Sequence, residues 1–422
     1  MSETASSVLS ALTFPVSSYG TVTSLRAGVV EATGLVGRIG DPCTIDGRDG
    51  AVAAEVLSVR GEVTVLAVLG SAQAIRCGDT VRCNDQPVES SLDIDRHYAY
   101  DGHATPLLQR DAATCLPPVR ARPRHVAYAE RAVVTSRFMT GIPVLDDFLP
   151  IGRGQRLGVF AEAGCGKTTL LRQLISTVPA DHTVVAMVGE RAREARELTN
   201  QLDDSDDSLS TTVFLALAGD PPTSRIGAFE SALATAQTLA DVGQHVLLVV
   251  DSMTRFAFAL REIDLANGEP MTHSGMTPTV FRRLSETIEM TGALVGKGSI
   301  TLVASVLMEG PSDDSFSSYL RSLLDGHIYL SRSLADRGVF PAVDLLNSRS
   351  RLDTTLLDDA AQRQATQIRN TLADYRSVEE YISFSGYDAG SNEALDGKIR
   401  RYQAVLAWLQ GQLPTNALEL RS

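Results

Sequence analysis

The stretch AEAGCGKTTLL, Ala161 to Leu171, constrains this chain more than any other. It follows RLGVF, an apolar run of strand type, and opens GKTTLLRQLIST, whose apolar residues recur at helical spacing. A strand that ends in a glycine-bearing loop and turns straight into a helix presents free backbone N–H groups where an anion can bind. The N–H groups from Ala163 through Gly164, Cys165, Gly166 and Lys167 to Thr168, with Thr169 next in line, can therefore wrap a β-phosphate. Lys167 is the cation for the β- and γ-phosphates, and the Thr168 hydroxyl is a ligand for Mg²⁺. A glycine usually opens such a loop, and Ala161 stands there instead. The two glycines closest to phosphate, Gly164 and Gly166, are kept, and alanine fits if its φ is negative. Cys165 reads as a small residue tolerated in the loop, with reactivity toward thiol reagents as the alternative.

RLGVFA, TVVAMVG, TVFLALAG, HVLLVVD, SITLVASVL and GHIYLS are near-continuous apolar runs alternating with helical patterns, the mark of a parallel sheet buried on both faces. The expected fold class is α/β, a doubly wound P-loop core. Ahead of it, residues 1–83 hold six short β-rich runs separated by turn signals, a small antiparallel barrel. The core is assigned to 84–352, with 84–135 as an irregular linker region. Residues 353–422 show helical spacing and form a small helical domain. A chain of 422 residues accommodates such a three-part plan.

Composition narrows the function. The formal charge of −13, and a span from 21 to 82 without Phe, Tyr or Trp, argue against nucleic acid as the partner. Five cysteines with no CxxC pair suggest neither a zinc site nor a disulfide framework, and a reducing cytosol fits. The first residues lack a basic, then apolar, signal sequence, and the longest apolar runs fall short of the roughly 20 residues of a membrane helix. Membrane contact is therefore expected through partners.

Three further places carry candidate chemistry. Asp251 ends HVLLVVD, where a carboxylate can hold Mg²⁺ through water, or serve only as a capping residue after a buried strand. Glu190 ends TVVAMVGE, where it can orient or deprotonate a water, or satisfy a helix dipole, and the adjacent Arg191 can bind γ-phosphate oxygens. Arg349 and Arg351 in NSRSRL are surface arginines or, for an Arg so placed, a finger that reaches the next subunit's γ-phosphate.

IGRGQRLGVFAEAGCGKTTLL, VGERAREARELTNQL, VVDSMTRFAFALREIDLANGEP and SLLDGHIYLSRSLADRGVFPAVDLLNSRSR together resemble the export ATPases of type III secretion and bacterial flagella, relatives of the rotary ATP synthase catalytic subunit. The GAGCGKT-like loop tilts the resemblance toward the injectisome branch. It implies a RecA-like core and a homohexamer that hydrolyses Mg-ATP at the cytoplasmic base of a secretion apparatus, peripheral to the bacterial inner membrane. Its implied partners are a central stalk, a peripheral stator or regulator, the export gate and chaperone–effector complexes. The resemblance makes Glu190 the catalytic carboxylate, Asp251 the Mg²⁺-coordinating residue and Arg351 the finger offered in trans. Phe340 takes the position of an aromatic that stacks on adenine, and Tyr387 that of the opposite wall. NGEPMTHSGMTPTVF matches a loop facing the central pore, without the Tyr expected at Met276 or Thr277.

The chain departs from the pattern twice. Arg349 stands where the family usually has an apolar residue, and SSLDIDRHYAYDGHATPLL agrees only in scattered positions with the segment that joins barrel to core. A non-catalytic nucleotide-binding scaffold and a flagellar export ATPase are the alternatives. Scaffold subunits usually replace the catalytic carboxylate by Gln, an RNA translocase of the Rho type needs basic and aromatic binding residues, and a synthase subunit carries an acidic run absent after Leu356.

Overall fold

The computed structural model describes residues 17–26, 28–48, 50–69, 72–84, 97–109, 122–203, 210–308, 315–385, 387–388 and 390–412. Strands β1 (Ser17–Arg26), β2 (Val29–Thr33), β3 (Pro42–Gly47), β4 (Gly50–Arg60), β5 (Val63–Val68) and β6 (Thr80–Asn84) close into a barrel in the order β1-β2-β5-β4-β3-β6. Closure leaves no open edge. Its interior is filled by small aliphatic side chains, among them Val22, Val30, Ile45, Leu66 and Val81. This is the barrel the turn signals predict. It is tied to the next layer by named contacts. Arg60 donates to the carbonyl and side-chain oxygens of Asn267 at 2.6 and 2.8 Å, and Thr223 Oγ1 donates to the Val68 carbonyl at 2.7 Å.

The central sheet comprises β7 (His97–Asp101), β8 (Pro106–Gln109), β11 (Arg156–Ala161), β12 (His182–Glu190), β13 (Thr211–Leu217), β14 (His245–Asp251), β16 (Ser299–Leu307), β17 (Gly326–Leu330) and β18 (Arg349–Ser350). A two-residue strand β15 (Gly292–Ala293) pairs with β16, and a separate ribbon joins β9 (Arg137–Phe138) to β10 (Ile151–Gly152). The order is β18-β17-β11-β16-β14-β12-β13-β7-β8, parallel from β17 to β7 with antiparallel strands at both ends. Every residue of β12 is buried, as expected of a strand covered on both faces. Helices Pro222–Asp241, Met253–Ala266 and Pro278–Glu289 cover one face through Phe229, Leu233, Phe256 and Leu284. Helices Lys167–Thr177 and Ala192–Asp203 cover the other through Leu170, Leu174 and Leu198.

The C-terminal helices Asp359–Ser385 and Glu393–Leu409 join that second face. Ile368, Val405 and Trp408 lie in the same apolar cluster as Leu170 and Leu174 of the helix that follows the phosphate-type loop. The last helical segment is thus part of the packing behind the loop. Among the described residues no helix is long and apolar enough to cross a membrane.

Within the region 84–135, expected as an irregular linker partly packed on the core, residues 97–109 form a regular hairpin of the sheet. His97–Asp101 is the outermost parallel strand of the sheet, with Ala99, Tyr100 and Asp101 in register with Val213, Phe214 and Leu215. Tyr98, Ala99 and Tyr100 are buried, and the Tyr100 ring stacks on Phe214 at 5.3 Å. A short strand paired by its backbone needs little apolar pattern, so HYAYD between polar flanks does not announce itself. Residues 85–96 and 110–121 of that region lie outside the described residues.

Gly102 turns this hairpin against the start of helix Pro222–Asp241. A Cβ there would lie 2.0 Å from the Ser224 carbonyl oxygen, and beside it Ser224 Oγ meets His103 Nε2 at 2.7 Å. Backbone cannot give way as a flexible side chain can. Gly102→Ala should therefore lower the stability of the whole chain by about 2 kcal/mol or more, read as a drop in the urea midpoint. An unchanged midpoint would mean that the hairpin is not packed as described.

Candidate functional site: a nucleotide-type loop and its two carboxylates

β11 ends at Ala161, fully buried between Leu330 and Leu307 of its parallel neighbours. Ala161 has no positive φ, so the alanine in the first loop position is accommodated as extended strand. The two following glycines do need the left-handed region, Gly164 at +84° and Gly166 at +85°. Gly166 then caps helix Lys167–Thr177, and the Leu170 N–H returns to its carbonyl at 3.0 Å. Ala163, Gly164 and Thr169 are exposed and Thr168 is partly exposed, so the helix N-terminus is open to a ligand. Cys165 points the other way. Its side chain is fully buried, and burial pushes its thiol up, which disfavours the reactive thiolate and supports the reading as a small loop residue.

Because β11, β16, β14 and β12 are adjacent and parallel, their C-terminal ends share one edge of the sheet. Lys167, Ser305, Asp251 and Glu190 meet there. Lys167 Nζ donates to Asp251 Oδ1 at 2.6 Å, and Ser305 Oγ donates to the same oxygen at 2.6 Å. Glu190 lies 3.9 Å from Lys167 Nζ, and Arg255 Nε approaches its Oε1 at 3.3 Å while Arg255 also donates to the Gly189 carbonyl. Glu190 Oε1 is nonetheless buried without a hydrogen bond. Asp251 is joined to Ser252 by a cis peptide, and Ser252 caps helix Met253–Ala266, accepting from the Arg255 N–H at 3.3 Å. Ser305 and Arg255 do not stand out in the sequence. Their only signals are a serine inside the apolar run SITLVASVL and an arginine four residues after Asp251.

Burial, and then the charge of Asp251, push the Glu190 carboxyl up from 4.5 to about 7, against the opposing pull of Lys167 and Arg255. A water-handling carboxylate is well served by a value near neutrality. The oxygen donors at the loop, the Thr168 hydroxyl and the Asp251 carboxylate, suit Mg²⁺, which takes few protein ligands when phosphates supply the rest. No group of three or more His, Cys, Asp or Glu side chains that could hold a metal occurs among the described residues.

Other expected residues fall elsewhere. Arg191 is exposed just beyond β12, its carbonyl accepting from the Ala195 N–H at 3.1 Å. Phe340, ahead of the cis Pro341, sits beside Gly166, whose added Cβ would lie 3.2 Å from its ring. It lines a cavity of about 200 Å³ with Gly166, Thr169, Pro341, Gln410 and Gly411. Tyr387, expected as the opposite wall, does not line that cavity. Its hydroxyl lies 2.9 Å from the Asn392 carbonyl and 3.0 Å from Asp396 Oδ1, where it organises the turn into helix Glu393–Leu409. In the loop after helix Met253–Ala266, Met276 and Thr277 are buried and Met271 is exposed.

Arg351 follows β18 and is exposed, its N–H bonded to the Asp325 carbonyl at 2.8 Å. β18 is antiparallel to β17 and pairs Ser350 with Gly326, whereas the loop side of the sheet is marked by Leu330 beside Ala161. Arg351 is therefore at the opposite strand end from its own loop, a strand's length of about 13 Å away at least.

A glycine loop on a helix N-terminus, with buried carboxylates ending two neighbouring parallel strands, defines a P-loop nucleotide-binding domain of the α/β class. Residues 141–350 match the family model of the ATP synthase alpha/beta family, nucleotide-binding domain, and residues 357–417 match that of the T3SS EscN ATPase C-terminal domain. The chain is 35% identical to a type 3 secretion system ATPase of Pseudomonas syringae pv. tomato, covering 93% of this chain and 90% of that protein. It is 33% identical to a flagellum-specific ATP synthase of Bacillus subtilis, over 93% and 90%. The assembled ATPase EscN of an enteropathogenic E. coli type III secretion system superimposes with a TM-score of 0.81 at 31% identity, covering 95% and 96%. The chain belongs to the type III secretion and flagellar export ATPase family.

A carboxyl that holds its proton more tightly in the fold than in the unfolded chain loses stability for the fold as pH rises through the interval between the two values. For Glu190 that interval runs from 4.5 to about 7. Nucleotide-free wild type should therefore lose about 1–3 kcal/mol relative to Glu190→Gln as pH rises across it, measured by urea unfolding of both proteins at each pH. A constant difference between the two would place Glu190 in solvent.

Proposed function

We propose that this chain is the Mg-ATP-hydrolysing motor of a type III protein secretion apparatus, acting as a homohexamer that docks and releases chaperone–effector complexes. The observation that carries the reading is the buried Glu190 carboxylate, whose Oε1 accepts no hydrogen bond although Arg255 and Lys167 stand near it, a strand away from the Lys167–Asp251 pair. In this reading the N–H groups from Ala163 to Thr169 and Lys167 hold the phosphates, and Phe340 and the 410–411 turn hold the base. Thr168 and, through water, Asp251 hold Mg²⁺, which neutralises developing phosphate charge. Glu190 orients and deprotonates the attacking water, with Arg255 fixing its carboxylate. Arg191 is available to the γ-phosphate from the rim.

Support for a catalytic role over a scaffold is the presence of all four groups, Lys167, Glu190, Asp251 and Arg351, in this chain. Support for assembly is the position of Arg351 at the far strand end, which leaves only another copy's phosphates within its reach. The EscN relative has been solved assembled, and also with its central stalk EscO, at a TM-score of 0.78 to this chain. We extend to this chain a central stalk seated against the exposed Met271 loop, a peripheral stator or regulator, and an export gate that brings it to the cytoplasmic side of the bacterial inner membrane. No nucleic-acid partner is included. The working units are taken as 1–83, 84–352 and 353–422.

An arginine supplied in trans contributes about 10³–10⁵ in rate. Specific Mg-ATPase activity should rise steeply with protein concentration, and Arg351→Ala should flatten that curve and cut turnover by about 10³ or more. Activity independent of dilution, or an active Arg351→Ala protein, would refute the trans arrangement.

A further inference from the structure

Along Ser348–Arg351 the side chains alternate. Ser348 and Ser350 are buried, while Arg349 and Arg351 are exposed, so the two arginines are placed on the same side of the sheet edge, where Arg349 Nη1 also donates to the Ser348 carbonyl at 2.9 Å. Register carries the same message: Arg349 pairs with His327 and Ser350 with Gly326, both at the strand end remote from the chain's own loop.

A third arginine lies near enough to Arg349 for the two charges to interact. Arg369, on helix Asp359–Ser385, lies over the Phe148 ring with its guanidinium carbon 4.4 Å from the centroid. Its Nε and Nη2 are buried without a hydrogen-bond partner. Burial and then the charge of Arg349 press its pKa downward, with Asp353 pulling the other way. Like charges held together in this manner repel, and the unpartnered donors remain costly until an anion meets them. Planar guanidinium groups presenting paired donors fit phosphate oxygens better than any other side chain.

We propose that Arg349 is a second trans-acting arginine, which contacts, beside Arg351, the phosphates of nucleotide bound by an adjacent copy of this chain. Arg369, held over the Phe148 ring, is a positioning residue that acts on Arg349 through its like charge. The proposal rests on the reading of Arg351 as a trans-acting group.

The test uses the full chain with Arg349→Leu, Arg349→Lys, Arg369→Gln and Arg351→Ala, at a concentration where the wild type is assembled. Turnover and KM for ATP are measured, with sedimentation velocity for assembly and retention of ADP–aluminium fluoride as a readout of transition-state charge. Arg349→Leu should lower kcat and analogue retention together by about tenfold or more, with KM and sedimentation within about twofold of wild type. Arg349→Lys should recover part of the loss, and Arg369→Gln should shift both readouts the same way by a smaller factor. Arg349→Leu with wild-type kcat and retention, while Arg351→Ala is inactive, overturns the proposal alone. So does loss of assembly in Arg349→Leu, which would make it a subunit-contact residue. An active Arg351→Ala protein overturns the proposal together with the reading beneath it.

Discussion

Lys167 and Asp251, 2.6 Å apart at the edge of the central sheet, are the contact on which the rest of the site depends. The pair joins the first turn of the loop helix to the end of β14 across the intervening β16, whose Ser305 supplies a second donor to the same carboxylate. Asp251 and Glu190 are both buried, and two carboxylates close together without cations would not stay charged. Lys167 and Arg255 offset that cost only partly, which is why Glu190 is left with a raised pKa. The parallel sheet makes this arrangement possible. It brings strand ends that are far apart in sequence to one edge, and its buried faces leave little water to screen what is placed there.

The same topology separates two halves of the machinery. β17 runs toward the loop, and β18 runs away from it, so the groups on β17's last residues and those on β18 lie at opposite edges of one sheet. A chain built this way holds its glycine loop and its two arginines at different edges of the sheet. The barrel closes with no free strand edge, and the C-terminal helices pack Trp408 into the cluster behind the loop helix.

Much of this was legible in the sequence because the physics is local. RLGVF–AEAGCGKTTLL states strand, loop and helix in order, and the long apolar runs state a two-sided sheet. Glu190 and Asp251 were visible as acidic residues ending such runs. What was missed depends on tertiary pairing. HYAYD becomes a strand only because Phe214 and its neighbours lie alongside it, and Gly102 matters only because the Ser224 carbonyl comes so close. Ser305 looks like any serine in a hydrophobic strand until β16 is seen to run between β11 and β14. Tyr387 comes to the base only through the resemblance, and nothing in the sequence announces the bonds of its hydroxyl to Asn392 and Asp396. The alternation that makes Arg349 a companion of Arg351 could be counted in the sequence, but Arg369 could not be added to it.

In the proposed mechanism Glu190 performs chemistry at a site that other residues build. Equilibrium ATP binding and steady-state hydrolysis by Glu190→Gln, side by side with wild type, decide that point. ATP affinity should stay within a few-fold of wild type while turnover falls by about a hundredfold or more. Hydrolysis retained at the wild-type rate would contradict the mechanism, and would move the reaction to a group other than the buried carboxylate at the end of β12.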